Sequence, residues 1–273
     1  MNQPLVTVIM PARNASQYIH EAITSVLAQS WKSWELLVIN NASTDNTALI
    51  ASSFNDPRVH VISEENIGIT HARNKGLRHS RGEFFCFLDA DDRFTPRSLE
   101  CRVEMLLSDP GIEFADGWVE YWNNNFTGLS RICKPTLKGV PFLEVASLNS
   151  SCLCAVSWMF RKVPGKNYSF DQHWTHSEDI AFFLKISRTG RYDFVNEATY
   201  QVRRGHVSTM SNLHGLENGY HLLLDHIRTL DGITPSHYQM LRKKIRGIMT
   251  KTYLHKWKFL SAFRTWFRFS FSR

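Results

Sequence analysis

The sequence predicts an α/β fold: a mixed, mainly parallel sheet flanked by helices, with a helical, basic and aromatic extension at the C-terminus. Three observations carry this prediction. Over the first ninety residues, short apolar runs alternate with amphipathic segments across short polar connections, the pattern of strand–helix–strand units. Polar and charged residues gather after each apolar run, where ligands bind in open sheets of this kind. Beyond Asp231 the composition changes, with ten Lys or Arg and no acid.

The elements follow in order. A first strand is expected over Leu5 to Met10, then a helix whose Ile19, Ile23, Val26 and Leu27 share one face. A second strand over Glu35 to Ile39 leads to Ser43-Thr44-Asp45, where Asp45 suits the cap of a second helix. A third strand over Arg58 to Ile62, a third helix from Thr70 to His79 and a fourth strand over Phe84 to Leu88 complete the series. Thr95 and Pro96 read as the N-cap and first residue of the next helix. The length suits one domain over 1–210, with halves at 1–110 and 111–210, and an appended helical segment over 211–273.

The fourth strand runs into Phe87-Leu88-Asp89-Ala90-Asp91-Asp92. Hard divalent cations such as Mn²⁺ or Mg²⁺ take oxygen ligands, commonly one or two carboxylates plus substrate phosphates. A metal site for a nucleotide diphosphate is one reading; a solvated acidic turn ahead of a helix is the other. The other strand ends favour a site. Arg13 and Asn14 follow the first strand, Asn40 to Asp45 the second, and Asn66 and Gly68 the third, so four connections converge on one crevice. The first turn, Pro11-Ala12-Arg13-Asn14-Ala15, lacks the glycines a dinucleotide-binding dehydrogenase needs there.

Taken in order, these pieces resemble glycosyltransferase family 2. They are Val6 to Asn14, Ser25-Val26-Leu27-Ala28-Gln29-Ser30, Asn41-Ala42-Ser43-Thr44-Asp45-Asn46-Thr47, Asn66-Ile67-Gly68, Ala72-Arg73-Asn74-Lys75-Gly76, Arg81-Gly82-Glu83 and the acid cluster. The resemblance covers roughly the first two thirds of the chain. It implies a GT-A fold and inverting transfer of a sugar from a nucleotide-diphosphate donor, with UDP the expected nucleotide, to an acceptor hydroxyl.

The resemblance also implies roles. Asp91, with Asp89 or Asp92, would hold Mn²⁺ or Mg²⁺ against the donor diphosphate, and Arg73 would add a fork of donors to the same phosphates. Pro11, Ala12, Arg13, Asn14 and Asn41 would frame the base, and Gly68, Asn74, Asp89 and Ala90 would complete the donor site. Asp179 in His176-Ser177-Glu178-Asp179-Ile180 would be the general base, with Glu178 in reserve and His176 third; acids here equally suit the positive end of a helix. The upstream Ser169-Phe170-Asp171-Gln172 also resembles a family segment. Three positions depart from the family. Asn40-Asn41 replaces an acidic pair, Arg13 stands where an aromatic residue is frequent, and Arg203 occupies the place of a His that can complete the metal site. His206 is the nearby substitute, and Arg203 could instead meet the diphosphate. The acceptor pocket is expected from roughly 112–170, with Trp122, Trp158 and Trp174 as sugar-stacking candidates, although buried Trp is also ordinary core.

Composition bounds the rest. Net charge is +7, yet the first 231 residues hold 22 bases against 25 acids, so the excess sits in the tail. Basic residues interleaved with Tyr253, Trp257, Phe259, Phe263, Trp266, Phe267, Phe269 and Phe271 suit an interfacial helix on anionic lipid, each base contributing ~1 kcal/mol near such a surface. A helical pair with a solvated basic face is the alternative. No motif specifies nucleic-acid binding. No stretch approaches the ~18–20 apolar residues of a membrane span, and Met1-Asn2-Gln3-Pro4 lacks the character of a signal peptide. A cytoplasmic protein, peripheral on the inner face of the plasma membrane through 235–273, is therefore expected. Cys86, Cys101, Cys133, Cys152 and Cys154 show no ligand spacing and read as reduced core residues. The partners expected are a nucleotide sugar and a saccharide or lipid-linked saccharide in cell-surface polysaccharide synthesis. The rivals are a catalytically silent nucleotide-sugar-binding scaffold and a nucleotidyltransferase. The latter should show a Gly-rich phosphate loop and a Lys near the first strand, both absent.

Overall fold

A computed structural model describes residues 3–205 and 212–271. Strands β1 (Val6–Ala12), β2 (Trp34–Asn41), β3 (Val59–Glu64) and β4 (Phe84–Phe87) lie parallel in the order β3-β2-β1-β4. Helices α1 (Ile19–Leu27), α2 (Thr47–Ser52) and α3 (Ile69–His79) make the crossovers. Beyond β4 the sheet becomes mixed. The strand β8 (Met159–Arg161) runs antiparallel to β4 and to β6 (Ile112–Trp122), and β9 (Arg191–Arg203) lies parallel to β6. Strand β5 (Arg93–Phe94) closes the far edge on β9, and β7 (Leu129–Cys133) folds back on β6.

Alternation along the strands divides the core in two. Val6, Val8, Met10, Leu36, Val38, Phe84 and Cys86 face one layer with Ile19, Ala22, Ile23 and Val26 of α1 and Leu99, Val103 and Leu106 of α4 (Ser98–Ser108). Ile9, Leu37, Ile39, Phe85 and Phe87 face the other, where Ala72 of α3, α5 (Phe142–Ala146) and α6 (Glu178–Ile186) pack. The helices α7 (Leu213–Arg228), α8 (Pro235–His255) and α9 (Phe259–Phe271) join that second layer through Leu223, Ile227, Leu241, Ile245, Met249 and Phe269. No helix among the described residues is long and apolar enough to cross a membrane.

Three expectations need correction. The helix expected at Pro96 starts at Ser98, because the Thr95 hydroxyl donates to the Ala198 carbonyl (2.6 Å) instead of capping. Cys133 and Cys154 form a disulfide; the fold of β7 onto β6, and a hydrogen bond from the Tyr121 hydroxyl to the Cys154 carbonyl, bring them together. Trp158 has no exposure at all: it packs on Phe183 (ring centroids 4.5 Å), Tyr192 and Phe114, and its Nε1 donates to the Cys152 carbonyl (2.7 Å). It is a core residue and lines no acceptor pocket. Trp158→Ala is expected to cost about 3–5 kcal/mol of stability, read by urea unfolding.

Candidate active site

The carboxyl ends of β1, β2 and β4 open onto a cleft of about 640 Å³. Pro11, Ala12, Arg13 and Asn14 form its first wall. Asn14 is left-handed (φ 49°), and its side-chain oxygen accepts from the Thr44 amide (2.8 Å), fixing this turn to the next connection. Asp45 does the same from below, accepting from the amides of Ser16 and Thr47 (both 3.0 Å). Burial alone would raise its carboxyl, but hydrogen bonds from the side chains of Thr47 and Ser16, and then from these two amides, hold it at about 2.

Asn41 is buried and shapes the second wall. Its amide donates to the carbonyls of Glu64 (3.2 Å) and Asn66 (2.7 Å), and its oxygen accepts from the Gly68 amide (2.8 Å). Gly68 itself has φ 142°, a backbone that a side chain would strain, and it opens α3 toward the cleft.

Asp89, Ala90 and Asp91 form the floor, and Glu178 and Asp179 at the start of α6 face them across the cleft. Arg73 joins the two sides. It is 2% exposed and donates to Glu178 (3.0 Å) and Asp89 (3.3 Å). Sequence reasoning placed this guanidinium on donor phosphate; here it is held by two carboxylates, with its raised pKa set by their charges against burial. Burial first, and then the neighbouring Asp179 charge, push the Glu178 carboxyl up to about 7, with Arg73 pulling the other way. Because the folded value lies above the ordinary 4.5, the native protein favours the protonated form. Stability of the ligand-free protein should therefore fall as pH rises from about 4.5 to about 7. Glu178→Gln should flatten that slope in chemical denaturation, an effect on the order of 1–3 kcal/mol.

Several expected site residues lie elsewhere. Asp92 is buried, accepts from the Arg203 amide (2.8 Å), and is pushed well above the usual carboxylate range by burial and then by Asp91 and Asp89. It anchors the loop and does not line the cleft, which removes it as a metal ligand. Arg203 is also buried: it donates to the Asp91 carbonyl (2.8 Å), to Glu21 (2.6 Å) and to the Asn124 carbonyl, beneath the ring of Phe126. Its guanidinium props the acid loop from behind and is not available to a diphosphate. Asn74 uses both ends of its amide on the Phe170 backbone (2.8 Å each), so it positions the segment before α6 and does not contact donor. Trp122 lies outside the cleft with its Nε1 on Glu120 (2.9 Å), whereas Trp174 is in the wall. Of the expected acceptor segment 112–170, Val156 alone among the described residues lines this cleft. His206 lies outside the described residues.

Beside the acidic pair, Gln172, Thr175, His176 and Ser177 line the cleft, and Tyr18 and His71 line it from the segment before α1 and from α3; of these six, only His176 was expected from sequence, as the third candidate for the base. The signal was local, a polar run leading directly into the acidic pair. The glycines of α7 hold this wall in place. A Cβ on Gly219 would stand 2.7 Å from the His176 Cβ and 2.9 Å from its carbonyl oxygen, and one on Gly215 would meet the His176 ring at 2.3 Å. Backbone atoms cannot yield as side-chain ends do. Gly219→Ala is thus expected to destabilise by about 1–3 kcal/mol and to shift Glu178 and Asp179, lowering activity more than donor affinity in steady-state kinetics.

The curled mixed sheet with its flanking helices is the GT-A arrangement. The fold is shared with S. aureus TarS 1-349 in complex with UDP-GlcNAc (TM-score 0.69, 19% identity, covering 89% of this chain and 72% of that one). It is shared too with the mannosyltransferase PcManGT from Pyrobaculum calidifontis in complex with GDP-Man and Mn²⁺ (TM-score 0.59, 20% identity, 100% and 77%). Residues 7–167 match the profile of Glycosyl transferase family 2. An uncharacterized glycosyltransferase of Haemophilus influenzae is 30% identical over 217 residues, 78% of this chain and 84% of that protein. The chain belongs to glycosyltransferase family 2. Escherichia coli WfgD, a UDP-Glc:alpha-D-GlcNAc-diphosphoundecaprenol beta-1,3-glucosyltransferase, is 40% identical over 126 residues, 46% of this chain and 49% of WfgD. Bacillus subtilis TuaG, a putative teichuronic acid biosynthesis glycosyltransferase, is 41% identical over 108 residues, 38% and 43%. The matches thus span about half the length of these two relatives or less.

Proposed function

We propose that this glycosyltransferase moves a sugar, with inversion, from a UDP-linked donor to a hydroxyl of a lipid-linked saccharide in cell-surface polysaccharide synthesis, on the cytoplasmic side of the membrane. One observation carries the reading: strand-end carboxylates and an acidic helix start face each other across a single cleft, bridged by Arg73. The name of WfgD supports the lipid-linked acceptor and the UDP-linked donor, that of TuaG supports polysaccharide synthesis, and the ligand of TarS supports the donor class.

The donor set suits a hard divalent cation. Asp89 and Asp91 offer carboxylate oxygens at the cleft floor, and the described residues hold no cluster of three or more His, Cys, Asp or Glu that would enclose an ion. Two carboxylates leave coordination positions for diphosphate oxygens and water. Mn²⁺ or Mg²⁺ there would stabilise the charge of the departing nucleoside diphosphate. The chain's own residues do the remaining work. The Pro11–Asn14 turn and Asn41 frame the base, and Gly68 lets the backbone approach the donor. Asp179 takes the proton of the acceptor hydroxyl as its oxygen attacks opposite the leaving group. Glu178, held by Arg73, sets the position of the helix start, and Trp174 in the cleft wall meets the acceptor.

A thermal-shift titration against a panel of nucleotide sugars, with Mn²⁺ and again with chelator, tests the donor assignment. Stabilisation by one UDP-sugar that chelator abolishes is the expected result. Stabilisation by none would overturn the donor assignment, and stabilisation without transfer to any acceptor would favour the silent scaffold.

A further inference from the structure

The C-terminal hairpin carries an exposed surface that is both apolar and basic. Helix α9 divides into three faces. Ala262, Thr265 and Phe269 point inward and are buried. Phe259, Leu260, Phe263 and Phe267 form an exposed strip at helical spacing, and Trp257, just ahead of the helix, is 81% exposed. Arg264 and Arg268 flank the strip. The arrangement is held rigid: buried Glu217 of α7 accepts from the Tyr253 hydroxyl of α8 (2.8 Å) and the Thr265 hydroxyl of α9 (3.0 Å), so the strip cannot roll inward. Beside it, a groove of about 390 Å³ between α8 and α9 is lined by Lys243, Arg246, Lys251, Leu254 and Trp266, with cationic and apolar walls together.

We propose that the α8–α9 hairpin docks on an anionic lipid bilayer. The rings and Leu260 enter the boundary between headgroups and acyl chains, and the Lys and Arg side chains meet lipid phosphates, with the groove seating one headgroup. No described helix can cross the bilayer, so the hairpin lies on its surface. The rival occupant is a second copy of this chain. The segment after Asp231 carries ten bases and no acid, and a twofold contact would set that charge against itself, whereas anionic lipid neutralises it. The surface is remote from the cleft residues in function and does not rest on the sugar-transfer reading.

The test uses the full chain in sedimentation with vesicles of phosphatidylcholine alone or mixed with phosphatidylglycerol. Binding is expected only to the anionic vesicles, weakening with salt. Combined Trp257→Ser, Leu260→Ser and Phe263→Ser should abolish it, and Lys243→Gln with Lys251→Gln should weaken it about 20- to 30-fold, roughly fivefold per base. These side chains are exposed, and circular dichroism and nucleotide-sugar binding check that the variants remain folded. Absence of binding by the folded wild-type chain, or equal binding to both vesicle types, overturns the proposal. So does a dimer in light scattering that the triple variant dissolves, since the strip would then belong to a second copy.

Discussion

Asp91→Ala is expected to remove the chelator-sensitive stabilisation by nucleotide sugar and to lower kcat/KM by at least 10²–10³-fold, the scale of losing one preorganised charge-stabilising group. The reason is positional. Asp91 lies on the cleft floor, and its backbone carbonyl is held by the Nε of Arg203 (2.8 Å), so the loop that carries it is braced from the side away from substrate. Truncating the side chain leaves that brace intact. The loss should therefore appear in donor and metal binding, measured by calorimetry, with little change in unfolding temperature of the ligand-free protein. A variant that still binds donor and Mn²⁺ normally would move the metal site elsewhere.

Asp179→Asn should show the complementary pattern. Asparagine keeps the shape and an oxygen that can still accept from the Ile180 amide, as Asp179 does at 2.8 Å. It cannot take a proton. Donor stabilisation in the thermal-shift assay should stay near wild type while turnover falls about 10²–10⁴-fold. Full turnover by this variant would remove Asp179 as the base. Glu178→Gln separates the neighbouring roles: a residue held by Arg73 should affect the position of α6 and the pH dependence of stability more than the chemical step.

The parallel half of the sheet was legible because each strand is a short β-branched or aromatic run and each connection is polar. The expected strands fall within one or two residues of β1 to β4. The polar strand ends pointed to the residues of the cleft floor, and the resemblance to family 2 pointed to the acidic pair of α6. What was not legible depends on contacts between distant segments. Arg203 meets Glu21 across 182 positions, and Arg73 meets Glu178 across 105, so no local pattern shows that these guanidinium groups are already engaged. Asp92 looks like its neighbours in sequence but is turned inward by the β9 backbone. Trp158 follows a Ser- and Cys-containing loop, and its full burial emerges only when β8 inserts between β4 and β6.

The sharing of one apolar layer between the sheet and α7 to α9 has a consequence for how this chain can be divided. The match to the family 2 profile ends at residue 167, before α6 to α9, which with α3 and α5 cover Phe170, Trp174, Phe182 and the rest of that layer. The boundary of resemblance is thus not a boundary of cooperative unfolding. A chain cut there would leave that sheet face covered only by α3 and α5 and lack the wall that carries the acidic pair. Substitutions after residue 167 are therefore limited to those that still close the core on which the sheet depends.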